Sequence, residues 1–278
     1  MTDHDPIEVF SYGGGQQSNA ALVLAAQGRL PYKTFLFCNV GDDSEDPRTL
    51  EYVRDVAIPY AEHHGLKIVE LKRIIKRTGE ERTLYQQVMR PSRTIDIPMR
   101  MDNGAPGNRN CTKDYKLMLI LRELTRMGAT EATPATVGVG ISLDEMHRAT
   151  NRRRSPIERV VYPLLEMGLR RTDCQRIIRK AKLPLPPKSA CWFCPMKRPE
   201  EWQNLRRERP DLFAKACHLE ATLVERRATL LDENGQPKDP VYLTRFAKPL
   251  AQAIPEGVDL LPMFDEADGA CDDSSCFT

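Results

Sequence analysis

The sequence of 278 residues contains no uninterrupted apolar run long enough to span a membrane. Its first residues, Met1–Pro6, are acidic and polar, unlike a signal peptide, so we expect a cytoplasmic protein with no membrane partner. Hydrophobic and charged fractions of 41% and 29% are typical of an ordinary globular chain. Composition therefore argues against a membrane protein and says little about what the protein does.

Cysteine is also sparse, with eight residues in the whole chain. That number is too low for a disulfide scaffold, and in a reducing compartment cysteines are used more often for metal or sulfur chemistry. The net charge of +2 is uninformative, but arginines and lysines cluster at 148–159 and 170–182. Such clusters are either solvated surface or a site for a phosphate-rich substrate.

Two familiar phosphate-binding signatures are missing near the amino terminus, namely Gly-Lys-Ser/Thr at Walker spacing and G-x-G-x-x-G. The sequence has instead a buried strand beginning at Val9, a glycine loop at Gly13–Gly15 and a helix that begins near Ser18. Glycines allow close approach of a ligand to the backbone, and N–H groups at a helix start bind anions. The loop is therefore either an anion cradle or a plain tight turn.

Strands and helices alternate along the first part of the chain, with Asp46 and Pro47 marking a helix start. This order predicts an α/β fold, an open and mainly parallel sheet with helices on both faces, followed by a helical C-terminal extension. The predicted strands are Lys33–Asn39, Lys67–Leu71 and Thr136–Gly140, the extended segment is Val160–Leu165, and the helices are Arg48–His64, Thr112–Met127 and Thr172–Ala181.

The remaining segments are less regular. Residues 72–110 are rich in proline, glycine and arginine, as expected of a loop that covers a substrate. Residues 199–231 are predicted to be largely helical, and 232–278 irregular with an acidic end. We predict two units, a nucleotide-binding domain at 1–188 and a segment at 189–278 that holds the C-x-x-C turn, the helical extension and the tail.

Cys191 and Cys194 form a C-x-x-C turn, which directs two thiols at one centre. Zinc, an iron–sulfur cluster and a redox dithiol all use such a turn. The pair lies too late for a thioredoxin-like unit, and no second C-x-x-C or H-x-H supplies zinc ligands. Cys111 is the natural third ligand, because its position at a loop-to-helix junction favours the thiolate. The alternative is a set of buried structural cysteines.

An ordered series of motifs resembles one family. It consists of the glycine loop, Asn39-Val40-Gly41, the Cys111–Lys116 segment, Gly140 with Asp144–Arg148, Tyr162–Leu165 and the C-x-x-C turn. Over residues 7–200 the chain resembles the adenine nucleotide alpha-hydrolase (PP-loop) superfamily. Within it, the chain is most similar to the sulfonucleotide (PAPS/APS) reductases and to the reductase-like component of DNA phosphorothioation systems.

The resemblance implies a 4Fe–4S cluster. Iron–sulfur members carry Cys-Cys, roughly eighty residues and then C-x-x-C, and here Cys111 precedes Cys191 by eighty residues. The implied metal ligands are therefore Cys111, Cys191 and Cys194. The second of the paired cysteines is Thr112 here, so the fourth iron position is either open or filled by Cys217, Cys271 or Cys276.

The resemblance also implies a nucleotide site. The expected phosphate-binding residues are Ser11, Gly13, Gly14, Gly15, Gln17 and Ser18, and those on the adenosine side are Asn39 and Gly41. The expected stabilisers of phosphoryl charge are Lys113, Lys116 and Arg148. Gln17 and Asn39 stand where the family has acids, which weakens the prediction of ATP cleavage with Mg²⁺, although Asp42, Asp43 and Glu45 follow closely.

The reductases end in a tail cysteine that attacks sulfur, and Cys276 is the matching catalytic candidate, with Cys271 nearby. The family's Glu-Cys-Gly pattern is absent, and Asp272 and Asp273 would disfavour a thiolate there. A catalytic tail is therefore the less favoured interpretation.

We expect an iron–sulfur PP-loop enzyme that uses ATP or another adenine nucleotide in sulfur transfer, with Mg²⁺ as a candidate cofactor. The alternatives are a phosphoadenylyl or adenylyl sulfate reductase, and a zinc-stabilised nucleotide- or nucleic-acid-binding protein without turnover. Candidate partners are an adenine nucleotide, a nucleic acid, a sulfur-donor protein of the cysteine desulfurase type and a second copy of the chain.

Overall fold

A parallel sheet of five strands forms the centre of the computed structural model, which describes residues 6–149 and 155–257. Every neighbouring pair of strands in it is parallel, and the spatial order is β3-β2-β1-β4-β5. The strands are β1 Glu8–Tyr12, β2 Thr34–Cys38, β3 Lys67–Leu71, β4 Ala135–Val139 and β5 Glu158–Val161.

The α-helices are α1 Gln16–Ala26, α2 Pro47–Tyr52, α3 Ile58–His63, α4 Leu84–Met89, α5 Asn110–Thr112, α6 Met118–Arg126, α7 Pro163–Glu166, α8 Arg171–Lys180, α9 Pro199–Glu208, α10 Pro210–Ala228 and α11 Leu250–Ala253. Val53–Ala57 and Lys113–Leu117 are π-helical, and Leu143–Arg148 is a 3₁₀ helix. Among the described helices, none is long and apolar enough to cross a membrane.

Side chains of successive strand residues enter two different cores, as the pleat of a strand requires. Phe10 and Phe35 pack with α1, α2, α3 and α8 on one face, while Val9 and Leu36 pack with α6 on the other. Full burial of such a side chain stabilises the fold by about 1.5–3 kcal/mol. The predicted fold class, a parallel α/β sheet with helices on both faces and helices after it, is confirmed.

The predicted helix Arg48–His64 is present as α2, the π-helical turn Val53–Ala57 and α3. The Asp46 carboxylate accepts a hydrogen bond from the Arg48 backbone N–H at 3.0 Å, which caps the first turn. Gly65, with φ +70°, follows the last turn, a conformation that glycine adopts without strain. Local sequence signals were therefore sufficient to place this helix.

Two local predictions were wrong. The extended segment Val160–Leu165 ends as a strand at Val161, because Pro163 begins the short helix α7, a position that suits proline. Residues 72–110 are not wholly irregular, since they contain α4, whose first turn is closed by a capping box between Thr83 and Gln86.

A third core lies beside the sheet. It combines Trp192, Phe193 and Trp202 with apolar residues of α10 and α11, and also with residues of α4 and Tyr115 from earlier in the chain. Residues on both sides of position 188 therefore share this core, and the division into units at 1–188 and 189–278 stays a prediction.

Gly138 of β4 gives a test of the packing between the sheet and its first core. A Cβ at this position would lie 2.7 Å from Cδ2 of Phe10 and 2.7 Å from Cζ of Tyr32, both in tightly packed rings. We therefore expect Gly138→Ala to lower the free energy of unfolding by about 1–3 kcal/mol. Urea denaturation would measure the change. Thr136→Val, at a half-buried position of the same strand, should change it by less than about 1 kcal/mol; equal effects would contradict the packing argument.

Candidate nucleotide and thiol site

A cavity of about 330 Å³ opens at the carboxyl edge of the sheet, within the size range of ligand pockets. It lies where the strand order reverses, between the ends of β1 and β4, the usual ligand position in open parallel sheets. Its lining consists of Ser11, Gly13, Gly15, Gln16, Gln17, Ser18, Val40, Leu84, Cys111, Thr112, Lys116, Gly140, Arg171, Gln175, Lys188, Ser189, Ala190, Cys191 and Cys194.

The glycine loop presents bare backbone to this cavity. A Cβ added at Gly13 or Gly15 would meet no protein atom within 4 Å. Gly14 has φ +78°, and a Cβ there would lie 3.0 Å from Cγ2 of Thr49. The first and third glycines therefore leave space for a ligand, whereas Gly14 is required by the backbone conformation and by packing.

The loop is held in this form by Asn19. Its side-chain N–H₂ donates to the carbonyl oxygens of Gly14 at 3.1 Å and Gly15 at 2.9 Å, and its amide oxygen accepts from the Tyr12 hydroxyl at 2.8 Å. The Asn19 side chain is buried. Because the two loop carbonyls are satisfied by Asn19, they are turned away from an incoming anion.

Helix α1 begins at Gln16 without a side-chain cap. The N–H groups of the first turn of a helix have no partner within the helix and carry a partial positive charge. The first three residues of α1 line the cavity, and Gly140 after β4 lies against them, 3.3 Å from Gln17 Cβ when given a Cβ. This arrangement is suited to a phosphate group.

Two buried hydroxyl groups belong to the same lining. The Oγ of Ser11 and the Oγ1 of Thr112 have no hydrogen-bond partner among the described residues. A buried hydroxyl without a partner is unfavourable, and a bound ligand with hydrogen-bonding groups would provide one. Both residues are therefore candidates for direct contact with the ligand.

Gln17 is held by a buried carboxylate. Its Nε2 donates to Oε1 of Glu145 at 3.1 Å, and the same carboxylate accepts from Arg148 at 2.6 Å and Arg171 at 2.9 Å. Glu145 and Arg148 are both buried. This network joins the start of α1 to the segment after β4 and to α8, and it fixes the amide of Gln17 at the site.

The charged residues in the lining are all cationic: Lys116, Arg171 and Lys188. Arg171 and Lys188 also contact carboxylates outside the lining, Glu145 at 2.9 Å and Glu201 at 3.1 Å. Three cations around a helix start favour an anionic ligand.

Cys111, Cys191 and Cys194 lie in the lining of the same cavity. The backbone N–H of Cys194 donates to the Cys191 carbonyl at 3.1 Å, which closes the C-x-x-C turn. Burial is the largest cause that raises the pKa of the Cys191 thiol well above its ordinary value, and Glu45, Cys194 and Cys111 raise it further. The fold therefore brings together three thiols from distant parts of the chain.

Whether these residues fit an iron–sulfur cluster depends on the donor set. Three thiols are the usual soft ligands of such a cluster, and each binds a different iron atom, so they need not converge on one point. Within residues 6–149 and 155–257, no three His, Cys, Asp or Glu side chains are gathered tightly enough to hold a single metal ion. The donor chemistry fits a cluster, and the cluster itself stays a prediction.

Other predicted residues are elsewhere. Asn39 donates to Asp42 and Glu70 and accepts from the Gly41 N–H, so it shapes the turn that presents Val40 to the cavity. The cavity lining contains Lys116 but not Gly14, Asn39, Gly41, Lys113 or Arg148. Lys113 is exposed, Cys217 packs in the third core, and Cys271 and Cys276 lie outside the described residues.

Several lining residues were not predicted as site residues, among them Thr112 as a hydroxyl donor, Arg171 and Lys188, whereas Gly140 was noted only as part of a motif. Arg171 carried a usable signal, because it begins a helix inside a noted basic cluster. Asn19 and Lys188 had none, since a single polar residue in a helix or loop gives no periodicity or spacing to interpret.

The fold and cavity define an open parallel α/β protein with an anion-suited turn at the point where the strand order reverses. No protein-family model and no curated protein matches the chain. Among solved structures, the chain is similar to the U34-tRNA thiolase NcsA from Methanococcus maripaludis with its 4Fe–4S cluster. The identity is 13%, the TM-score is 0.41, and the match covers 90% of this chain and 80% of the other.

The different roles of the first two glycines can be tested. We expect Gly13→Ala to weaken binding of a non-hydrolysable ATP analogue roughly ten- to hundredfold, because the methyl group would displace a charged hydrogen bond. The free energy of unfolding of the Gly13→Ala variant should differ from that of the unchanged protein by less than about 0.5 kcal/mol. Gly14→Ala should instead lower that free energy by about 1–3 kcal/mol. Calorimetric titration and thermal melting measure both quantities; unchanged affinity in Gly13→Ala would refute the anion cradle.

Two thiols outside the cavity, Cys38 and Cys174, should be inert. Burial raises the pKa of Cys38 and of Cys174 to about 12. At pH 8 the thiolate fraction of such a group is about one in ten thousand, against about one in four for an ordinary cysteine. Mass spectrometry after iodoacetamide treatment of the folded protein should find both residues unmodified. In guanidinium chloride both should react, and rapid labelling without denaturant would contradict their burial.

Proposed function

We propose that this chain is an iron–sulfur PP-loop enzyme that uses ATP in sulfur transfer. The single observation that supports this most is the shared cavity, in which a bare glycine loop, a helix start and three thiols meet. The sequence motifs have the order found in that superfamily, and the five-stranded parallel sheet agrees with it. A phosphate site and soft sulfur ligands side by side are what a reaction between a nucleotide and sulfur requires.

In this proposal the nucleotide phosphates lie against Gly13, Gly15 and the first turn of α1. The backbone N–H groups there donate to phosphate oxygens without reorganisation during the reaction. Val40 and Leu84 supply the apolar part of the lining for the adenine. Lys116 and Arg171 offset the negative charge that accumulates on the phosphates.

Cys111, Cys191 and Cys194 would hold the cluster. When bound, a 4Fe–4S cluster would carry the sulfur atom that is to be transferred. Lys116 lies close enough to Cys191 to oppose the rise in its pKa, so it favours the thiolate needed for iron binding.

The chemistry has two steps. An oxygen of the acceptor attacks the α-phosphorus of ATP, the bond to the β-phosphate oxygen breaks, and pyrophosphate leaves with the electron pair. A sulfide-level sulfur nucleophile then attacks the activated acceptor atom, and AMP leaves with the acceptor oxygen. Both steps place negative charge on phosphate oxygens, which the helix start and the lining cations stabilise.

The cluster ligands can be tested by metal analysis. Anaerobically purified protein should contain iron and acid-labile sulfide, with a broad brown absorbance. Cys191→Ala should lose nearly all of both, because two remaining thiols hold a cluster poorly. Cys174→Ala, which removes a buried thiol of α8 outside the lining, should retain them. Full iron content in Cys191→Ala would refute the ligand assignment.

The nucleotide chemistry separates the remaining candidates. Pyrophosphate release from ATP in the presence of an acceptor supports the proposal. Thioredoxin-dependent release of sulfite from adenylyl or phosphoadenylyl sulfate would instead identify a reductase. Stoichiometric zinc without iron, together with no turnover of any nucleotide, would identify a binding protein.

A further inference from the structure

A second pocket of about 20 Å³ lies just beyond the C-x-x-C turn. Three separate segments form it: the residue Arg100, the stretch from Pro195 to Trp202, and the loop before α11. Its lining consists of Arg100, Pro195, Met196, Lys197, Arg198, Pro199, Trp202, Thr244, Arg245 and Phe246. None of these residues belongs to the larger cavity.

The lining of this pocket is strongly cationic. Arg100, Lys197, Arg198 and Arg245 are all half-buried; the described lining contains no carboxylate, and Glu45 and Asp46 interact electrostatically with Lys197 from outside it. Helix α9, ten residues long, also begins here at Pro199, and Glu200 and Glu201 in its first turn offset the partial positive charge of the helix start. Partly buried cations concentrated at one point favour an anionic ligand.

Two buried donors point to a ligand independently of this charge. Within the described part of the chain, Nε1 of Trp202 and Oγ1 of Thr244 have no hydrogen-bond partner. Trp202 is fully buried and Thr244 is 4% exposed. Buried polar groups in folded proteins are nearly always satisfied, and an indole N–H can only donate. Both residues line the pocket, so an acceptor bound there is a candidate partner for each group.

The size of the pocket limits what the acceptor is. A volume of 20 Å³ is little more than one water molecule needs, so one or two oxygen atoms of a phosphate group enter and a whole nucleotide does not. The rest of the ligand must remain outside, on the protein surface. A phosphate within a polymer meets this condition, because its neighbours continue along the surface on both sides.

We propose that this pocket binds one backbone phosphate of a nucleic acid. Phe246 in the lining supplies an aromatic side chain of the kind on which unpaired bases stack. Pro195 directly follows Cys194 of the larger cavity, so a strand held here passes close to that cavity. The assignment of this nucleic acid as the sulfur acceptor rests on the proposed function; the binding itself does not.

The experiment measures binding by the full-length protein without ATP, using fluorescence anisotropy of short single-stranded DNA and RNA of the same sequence. Arg245→Glu should weaken binding of both at least tenfold and reduce the salt dependence. Thr244→Val, which removes an unpartnered hydroxyl and keeps the shape, should weaken it about fivefold without lowering the melting temperature. The control is Arg29→Glu, the same charge change at an exposed site before β2, on the opposite edge of the sheet; it should change affinity less than twofold.

Three outcomes would overturn the proposal. Equal weakening by Arg245→Glu and Arg29→Glu would show general charge attraction rather than a site. Unchanged affinity in Thr244→Val would show that the pocket does not hold the phosphate, and this variant decides the matter if Arg245→Glu fails to fold. Displacement of the oligonucleotide by equimolar inorganic phosphate would show a free-anion site. Because no ATP or iron is involved, failure here is distinct from failure of the proposed sulfur transfer.

Discussion

The parallel pairing of β1 with β2 on one side and with β4 on the other is the constraint on which the site depends. Parallel strands place their carboxyl ends at one edge, and the change of direction beside β1 leaves a gap there. The glycine loop, Val40 and Gly140 each follow one of these three strands, and all three border the gap. The larger cavity is thus a result of the strand order and of residues too small to fill it.

The cysteines discussed above occupy two kinds of environment, the cores and the larger cavity. Cys38 and Cys174 are enclosed in the cores, where burial raises the pKa of the thiol. Each thiol therefore stays protonated and unreactive. Cys191 is half-buried, Lys116 lies near it, and two further thiols share its cavity. The core cysteines therefore serve packing, whereas the cysteines that line the cavity are candidates for chemistry. Their neighbours, rather than burial alone, distinguish the two groups.

The amide of Gln17, where an acid would be expected from the sequence resemblance, is matched to the carboxylate of Glu145 beside it. An acid at this position would face Glu145 at hydrogen-bond distance, and two adjacent carboxylates repel each other. The amide of Gln17 instead donates to Glu145, which two arginines also neutralise. This network holds the start of α1 in place without adding negative charge to a site surrounded by cations, which suits a ligand that is itself an anion.

The sequence by itself determined the fold class, the glycine loop, the helix between Asp46 and Gly65 and the C-x-x-C turn, because capping residues, periodicity and C-x-x-C spacing are local or nearly local signals. It did not identify Asn19, Thr112 or Lys188 as parts of the site. Only the tertiary structure decided that Arg148 is buried against Glu145 and that Arg171 and Lys188 face the cavity. The reason is physical: whether a polar side chain contacts a ligand or a neighbouring residue depends on groups distant in the chain, and no local pattern encodes their positions.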